Sequence, residues 1–109
     1  MVFTKIEAAR MKDVVIDKWG HEIYLTDERW QHIMTRHPDM VGCRAQLLLT
    51  LQTGEREEKP YGSGKYFYWK KFRHLRPGRA KITVIVKFEM RKHGTSLLPN
   101  NFVTTAYQI

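Results

Sequence analysis

His37 is the residue of this chain whose type and setting best suit proton transfer, because an unperturbed imidazole is the one side chain that changes charge near neutral pH. It stands in the stretch Leu25 to Met40, LTDERWQHIMTRHPDM. Thr26 reads as an N-cap, with Asp27 and Glu28 in a first turn whose dipole favours negative charge. Leu25 and Trp30 can close a hydrophobic staple across that cap. At 100° per residue, Trp30, Ile33, Met34 and His37 share one helix face, while Arg29, His32 and Arg36 gather on another. Pro38 then ends the helix. His37 thus closes an apolar stripe at a helix terminus, where its ring can either reach a cleft or simply cap the helix at the edge of the core. Both readings stand on the residues alone.

Other chemistries find less support. His32 and His37 lie five residues apart on different helix faces, with no Cys or carboxylate at ligand spacing beside them, so no metal site is expected. The chain has no Gly-rich phosphate loop of either common kind, and Gly62-Ser63-Gly64 reads as a turn. No serine stands in a nucleophile elbow, and Cys43 reads as a small core residue. The acids are scattered, which disfavours two-metal phosphoryl chemistry. A set of His, Lys, Arg, Thr and Tyr remains, needing neither metal nor cofactor.

Charge points to the partner. Nineteen Lys and Arg against eleven Asp and Glu give a formal net charge of +8 and a pI near 9.8, which favours a polyanion, although an acidic protein would also fit. Between Lys65 and Lys92 there are ten Lys or Arg, with Glu89 the only acid, interleaved with Tyr66, Phe67, Tyr68, Trp69 and Phe72. Cations neutralise phosphates and aromatic rings stack on unpaired bases, so the mixture suits single-stranded nucleic acid. The candidate contacts are Lys65, Trp69, Lys70, Lys71, Arg73, Arg76 and Arg79. A solvated basic edge that discourages strand-to-strand aggregation is the plainer alternative.

The elements that must position these residues read as follows. Asp13 to Lys18 and His21 to Leu25 are short β-prone runs around Trp19-Gly20, a hairpin feeding into the first helix. A second helix is expected over Cys43 to Thr53, with Leu47, Leu48 and Leu51 at helical spacing and Gly54 as its stop. Strands are expected over Lys65 to Phe72, Ala80 to Met90 and Asn101 to Tyr107, with a weaker one in Glu55 to Pro60, and RKHGTSLLPN between the last two main strands as a mobile loop. In the strongest strand, Ile82, Val84, Val86 and Phe88 face one way and Lys81, Thr83, Ile85 and Lys87 the other. Residues 1 to 12 show no clear period and read as a flexible, frayed arm or as a short first element. The expectation is a single α+β domain over 1–109, two N-terminal helices packed on an antiparallel sheet of about four strands. The lone Cys43, the charged N-terminus and the absence of a long apolar run point to a cytoplasmic protein without a membrane partner.

The run Tyr24 to Pro38, YLTDERWQHIMTRHP, resembles the phage-associated branch of the barnase, EndoU, colicin and RelE-like nucleases. Val84 to Lys87 (VIVK) and Thr105 to Tyr107 (TAY) are similar to that family's later signatures, in the same order. The resemblance covers about residue 15 to the end. It implies two helices on an antiparallel sheet and metal-independent cleavage of RNA through 2′-hydroxyl attack, leaving a 2′,3′-cyclic phosphate. It nominates His37 as general base or acid with Arg36 beside it, Lys87 to stabilise phosphate charge, and Thr105 and Tyr107 to complete the cleft. Such a ribonuclease, acting on single-stranded RNA or tRNA, fits a toxin or effector restrained by an acidic antitoxin or immunity protein. A non-catalytic RNA-binding module, or a structural or interaction domain of a phage particle, are the alternatives. The heavily basic Lys65 to Arg79 segment departs from the family pattern.

Overall fold

A computed structural model describes residues 11–109. The chain runs β1 (Lys12–Ile16), β2 (Glu22–Thr26), α1 (Asp27–Arg36), a 3-10 turn (Pro38–Met40), α2 (Arg44–Thr53), β3 (Glu55–Glu58), β4 (Lys65–Lys71), β5 (Lys81–His93) and β6 (Ser96–Gln108). The strands form one six-stranded sheet in the order β1-β2-β6-β5-β4-β3. This is the expected α+β class, but with six strands in place of about four. The β1–β2 hairpin does not merely feed α1; it docks on β6 through the pair Tyr24 and Phe102, the one parallel contact, which makes the sheet mixed. Of the arm expected over residues 1 to 12, residues 1–10 lie outside the described residues, and Lys12 already belongs to β1.

Local sequence explains the helices. The Thr26 hydroxyl accepts from the Arg29 amide at 3.1 Å, as an N-cap should. At the other end the His37 amide donates to the Ile33 carbonyl at 2.7 Å while its backbone turns extended, φ −130° and ψ 80°, the conformation that a following proline enforces. Gly54 ends α2, though not by left-handed geometry: its φ is −77°. A Cβ there would lie 2.5 Å from the carbonyl oxygens of both Thr50 and Trp69, so glycine is needed because the helix end sits directly against β4.

One face of the sheet carries the core. Ile23, Leu25, Tyr68, Ile82, Val84, Val86, Val103 and Ala106 are buried on it against Trp30 and Ile33 of α1, Met40, and Leu47 and Leu51 of α2. The β1–β2 turn closes the end of this face that the helices leave open. Asp17 is buried, and it accepts from the Tyr68 hydroxyl at 2.5 Å, from Arg56 Nη1 at 2.8 Å, and from the amides of Trp19 and His21 at 2.9 Å. The Arg56 guanidinium lies 4.3 Å from the Trp19 ring and 4.6 Å from the Tyr66 ring, and donates to His21 Nδ1 at 3.0 Å. Arg44 fastens the other end, pairing with Asp13 of β1 at 2.7 Å and with Asp27 of α1.

The loop expected in RKHGTSLLPN is instead hairpin. β5 continues to His93 and β6 begins at Ser96, joined by Gly94 and Thr95, with Gly94 at φ 62°. Pro99 is tolerated opposite Met90 because β6 is an outer strand there, with no further neighbour to receive its missing N–H.

The Asp17 cluster makes a measurable prediction. Burial alone would raise the Asp17 carboxyl, but the hydrogen bonds from Tyr68, His21 and Trp19 and the charge of Arg56 outweigh it and hold the carboxyl below its ordinary value. A depressed carboxylate stabilises the fold above its unfolded-state pKa of about 3.9 and loses that contribution as pH falls through the folded value. Asp17→Asn should therefore cost about 3 to 5 kcal/mol at neutral pH, the range for removing one partner of a buried pair. The gap between wild type and variant in urea midpoint should narrow as the pH is lowered from about 5 to about 2. A constant gap would show that the charge of Asp17 contributes nothing.

Candidate nucleic-acid interface

The second face of the sheet is set by alternation, and no helix among the described residues packs on it. Cross-strand register orders it in rows. Trp69, Thr83 and Tyr107 form one; Phe67, Ile85 and Thr105 the next; Lys65, Lys87, Phe102 and Tyr24 the third. Lys71 and Lys81 lie beyond the first row. The aromatic rings of Trp69, Phe67, Tyr107, Phe102 and Tyr24 are half-buried, and Thr83 is covered between the Trp69 and Tyr107 positions. Glu55 and Glu57 of β3 bound the face on its outer edge.

A β-bulge assembles these rows. Ile85 pairs with Thr105 but Val86 pairs with Val103, leaving Thr104 as the extra residue, its hydroxyl donating to the Ile85 carbonyl at 3.1 Å. The extra residue switches the parity of β6. Val103 turns into the core, and Phe102 joins Tyr107 and Thr105 on the uncovered face. Without it, strict alternation would put Val103 outside and Phe102 inside.

His37 meets this face at its edge. Its ring lies against that of Tyr107, centroids 5.8 Å apart and planes inclined by 38°. The contact is held by the last residues of β6. The Gln108 amide donates to Asp39 Oδ2 at 3.0 Å, and Gln108 Nε2 donates to the Asp39 carbonyl at 2.6 Å, so the 3-10 turn after His37 is fastened to the strand that carries Tyr107. The Gln108 side chain also accepts from the Arg76 amide at 3.0 Å, and Arg76 Nη2 lies 3.4 Å from the Pro38 carbonyl. Sequence reasoning does not find Asp39 and Gln108. No pattern marks them, because their link spans sixty-nine residues.

The nominated residues thus separate into groups. His37 and Tyr107 come together, Thr105 lies one row further along the same face opposite Ile85, and Arg36 is exposed on the last turn of α1. Lys87 shares their face but stands four residues along β5 from Thr83, about 13 Å away at strand spacing. Its ammonium donates to the Ser63 carbonyl at 2.7 Å. Among the nucleic-acid nominees, Lys65, Trp69 and Lys71 lie on the uncovered face, whereas Lys70 pairs with Ile82 and belongs to the helix-covered face. Arg73, Arg76 and Arg79 are exposed in the β4–β5 loop.

A groove of about 750 Å³ lies elsewhere, along the polar side of α1 between Thr26, Arg29, His32, Thr35 and Arg44, and none of the nominated residues lines it. Among the described residues no three of His, Cys, Asp and Glu gather as metal ligands, and no helix is long and apolar enough to cross a membrane. No family model, curated protein or solved structure matches this chain.

The turn that receives Lys87 is itself braced. Glu58 accepts from the Gly64 amide at 2.8 Å, and the backbone hydrogen bonds from Gly62 and Gly64 hold its carboxyl below the ordinary value. Gly64 tests the bracing. It has φ 77°, and a Cβ there would lie 2.6 Å from the Phe88 carbonyl oxygen. Gly64→Ala should cost at least about 1 to 2 kcal/mol, the penalty for a side chain in the left-handed region, read as a lower urea midpoint. A neutral substitution would mean that the turn adapts freely and does not fix Lys87.

Proposed function

We propose that this chain is a metal-independent endoribonuclease that takes single-stranded RNA on the uncovered sheet face and cleaves it beside His37. The contact of His37 with Tyr107, at the edge of a face bearing Trp69, Phe67 and Phe102 among lysines, carries the reading. The resemblance to the barnase, EndoU, colicin and RelE-like nucleases supports it, as does the α+β arrangement with both helices on one side of the sheet. Bases would stack on the aromatic rows while lysines meet the phosphates. His37 takes the proton of a 2′-hydroxyl, whose oxygen attacks the adjacent phosphorus. The bond from phosphorus to the 5′ oxygen breaks, and that oxygen receives a proton from Tyr107, leaving a 2′,3′-cyclic phosphate and a 5′-hydroxyl. Arg76, whose Nη2 lies 3.4 Å from the Pro38 carbonyl, and Arg36, exposed one residue before His37, would hold the reacting phosphate. Lys87, engaged on Ser63, serves a neighbouring phosphate. With a charge of +8, such an enzyme suits restraint by an acidic antitoxin or immunity protein on the same face.

The position of Lys87 favours a second reading, a non-catalytic RNA-binding module, since the lysine that would stabilise the reacting phosphate is tied elsewhere. Incubation with total RNA and with tRNA in EDTA, followed by end-group analysis, separates the two. Products ending in 2′,3′-cyclic phosphate select the nuclease; intact RNA with a gel shift selects the module.

His37→Ala should lower the cleavage rate by about 10² to 10⁴ and leave the melting temperature close to wild type. His32→Ala, on the polar side of α1, serves as control. A folded His37→Ala protein that cleaves at the wild-type rate would remove the mechanism. Binding has its own control in the sheet. Replacing Lys71 and Lys81 with Ala should make the dependence of log affinity on log salt shallower by about 1.4 units for a single strand, whereas Lys70→Ala on the other face should leave it unchanged. An equal effect of Lys70→Ala would show that RNA is not confined to the uncovered face.

A further inference from the structure

We infer that the projecting end of the β5–β6 hairpin is a docking arm for a double-stranded flank of the same RNA, an inference that rests on the RNA reading above. The pairing of β4 with β5 ends at Lys65 and Lys87, and β2 touches β6 at Phe102 alone. Past Glu89 and Asn100 the two strands continue without a further partner strand among the described residues as far as His93 and Ser96. Every residue from Glu89 to Pro99 is exposed. At strand spacing the arm extends about 20 Å beyond Lys87.

Register fixes what the arm offers. Glu89, which accepts from Asn100 Nδ2 at 3.0 Å, then Arg91, Leu98 and His93 continue the uncovered face beyond Lys87 and Phe102, whereas Met90, Lys92 and Leu97 lie on the opposite face. A single strand lying along the uncovered face would meet Arg91 and miss Lys92. Cations on both faces of a strip two strands wide can meet the phosphates that flank the wide, shallow minor groove of an A-form stem. The arm has no Phe, Tyr or Trp, and His93 at its tip is its one ring on which an unpaired base could stack, unlike the sheet body with its rows of aromatic residues. Met90, Leu97 and Leu98 are exposed by 56%, 63% and 48%, and such apolar side chains at a ribbon end are suited to lie against ribose along a shallow minor groove. An A-form duplex is read by shape and backbone, so the arm adds affinity for a stem without choosing its sequence. The substrate class is therefore an RNA whose single-stranded segment adjoins a stem.

The test compares three labelled RNAs whose unpaired segment is 2′-O-methylated, so that no attacking hydroxyl is present. One is a single strand of about eight nucleotides, one carries an unpaired extension of about ten, and one carries a stem of about ten base pairs. Binding is read by fluorescence anisotropy across a salt series for wild type, for Arg91→Ala with Lys92→Ala, and for a shortened chain in which Met90 to Pro99 are replaced by Asn-Gly between Glu89 and Asn100. The stem should tighten wild-type binding by about tenfold or more at low salt, and the unpaired extension should not. The double substitution should make the salt slope for the stem RNA shallower by about 2 units, and the shortened chain should lose the gain while its slope for the short strand falls by no more than the roughly 0.7 unit that one phosphate contact at Arg91 supplies. A stem gain that survives both variants, or an equal gain from the unpaired extension, would overturn the inference. Failure of wild type to bind the short strand would count instead against the RNA reading of the sheet face. Since the exchange removes exposed residues alone, an unchanged melting temperature qualifies the shortened chain for the comparison. If that chain unfolds, the double substitution decides between the outcomes.

Discussion

The buried Asp17 carboxylate, bonded to Tyr68, Arg56 and two backbone amides, is the interaction on which the remaining geometry depends. The β1–β2 hairpin is attached to the sheet by one paired position. Such an attachment would not by itself fix the hairpin, and α1 grows directly from β2. By reaching β4 and β3 across the core face, the Asp17 turn clamps one end of the hairpin, and with the links of Arg44 to Asp13 and Asp27 and of Asn101 to the Glu22 carbonyl it fixes where α1 starts. The direction of α1 sets where it ends, and its end carries His37. The hydrogen bonds from Tyr68, His21 and Trp19 offset most of the desolvation of this buried carboxylate, and the guanidinium of Arg56, enclosed by Trp19, Tyr66 and Phe88, adds the opposite charge.

With one face committed to the core, period-two alternation leaves the other face to do chemistry. Among the described residues two short helices cover the core face, and aromatic residues accumulate on the face that neither of them covers. A half-buried ring is partly shielded by its cross-strand neighbours and still presents an edge or face to a ligand. The bulge at Thr104 enlarges this surface by turning Phe102 outward beside Tyr24, 6.1 Å between ring centroids. The link of Asp39 to Gln108 then sets the His37 ring against Tyr107, so that a helix terminus and a strand terminus share one edge.

Much of this is legible in the sequence, for identifiable reasons. Signals that act within a few residues read directly: Thr26 as a cap, Pro38 as the end of α1, and the alternation that sends Lys81, Thr83, Ile85 and Lys87 to one side of β5. Long-range outcomes do not. The bulge depends on the partner strand, and the docking of β1–β2 on β6 depends on the clamp at Asp17. Lys70 stands among basic neighbours along the chain, yet strand parity sends it to the other face. The hairpin end reads as a loop because Gly94 and Pro99 are breakers in isolation; they are accommodated because the one falls in the turn and the other on an unpaired edge. His37 is marked by its place at the end of an apolar stripe, but its partner Tyr107 lies seventy residues away, and only the fold brings the two rings together.

The central claim is that RNA lies on the uncovered sheet face and reaches the edge where His37 meets Tyr107. Ultraviolet cross-linking of a 2′-O-methylated oligonucleotide, with the modified peptides located by mass spectrometry, tests it most directly. Cross-links at Phe67, Trp69, Phe102 and Tyr107 are the predicted result. Cross-links confined to Trp19 or to the polar side of α1, with none on those four rings, would contradict it.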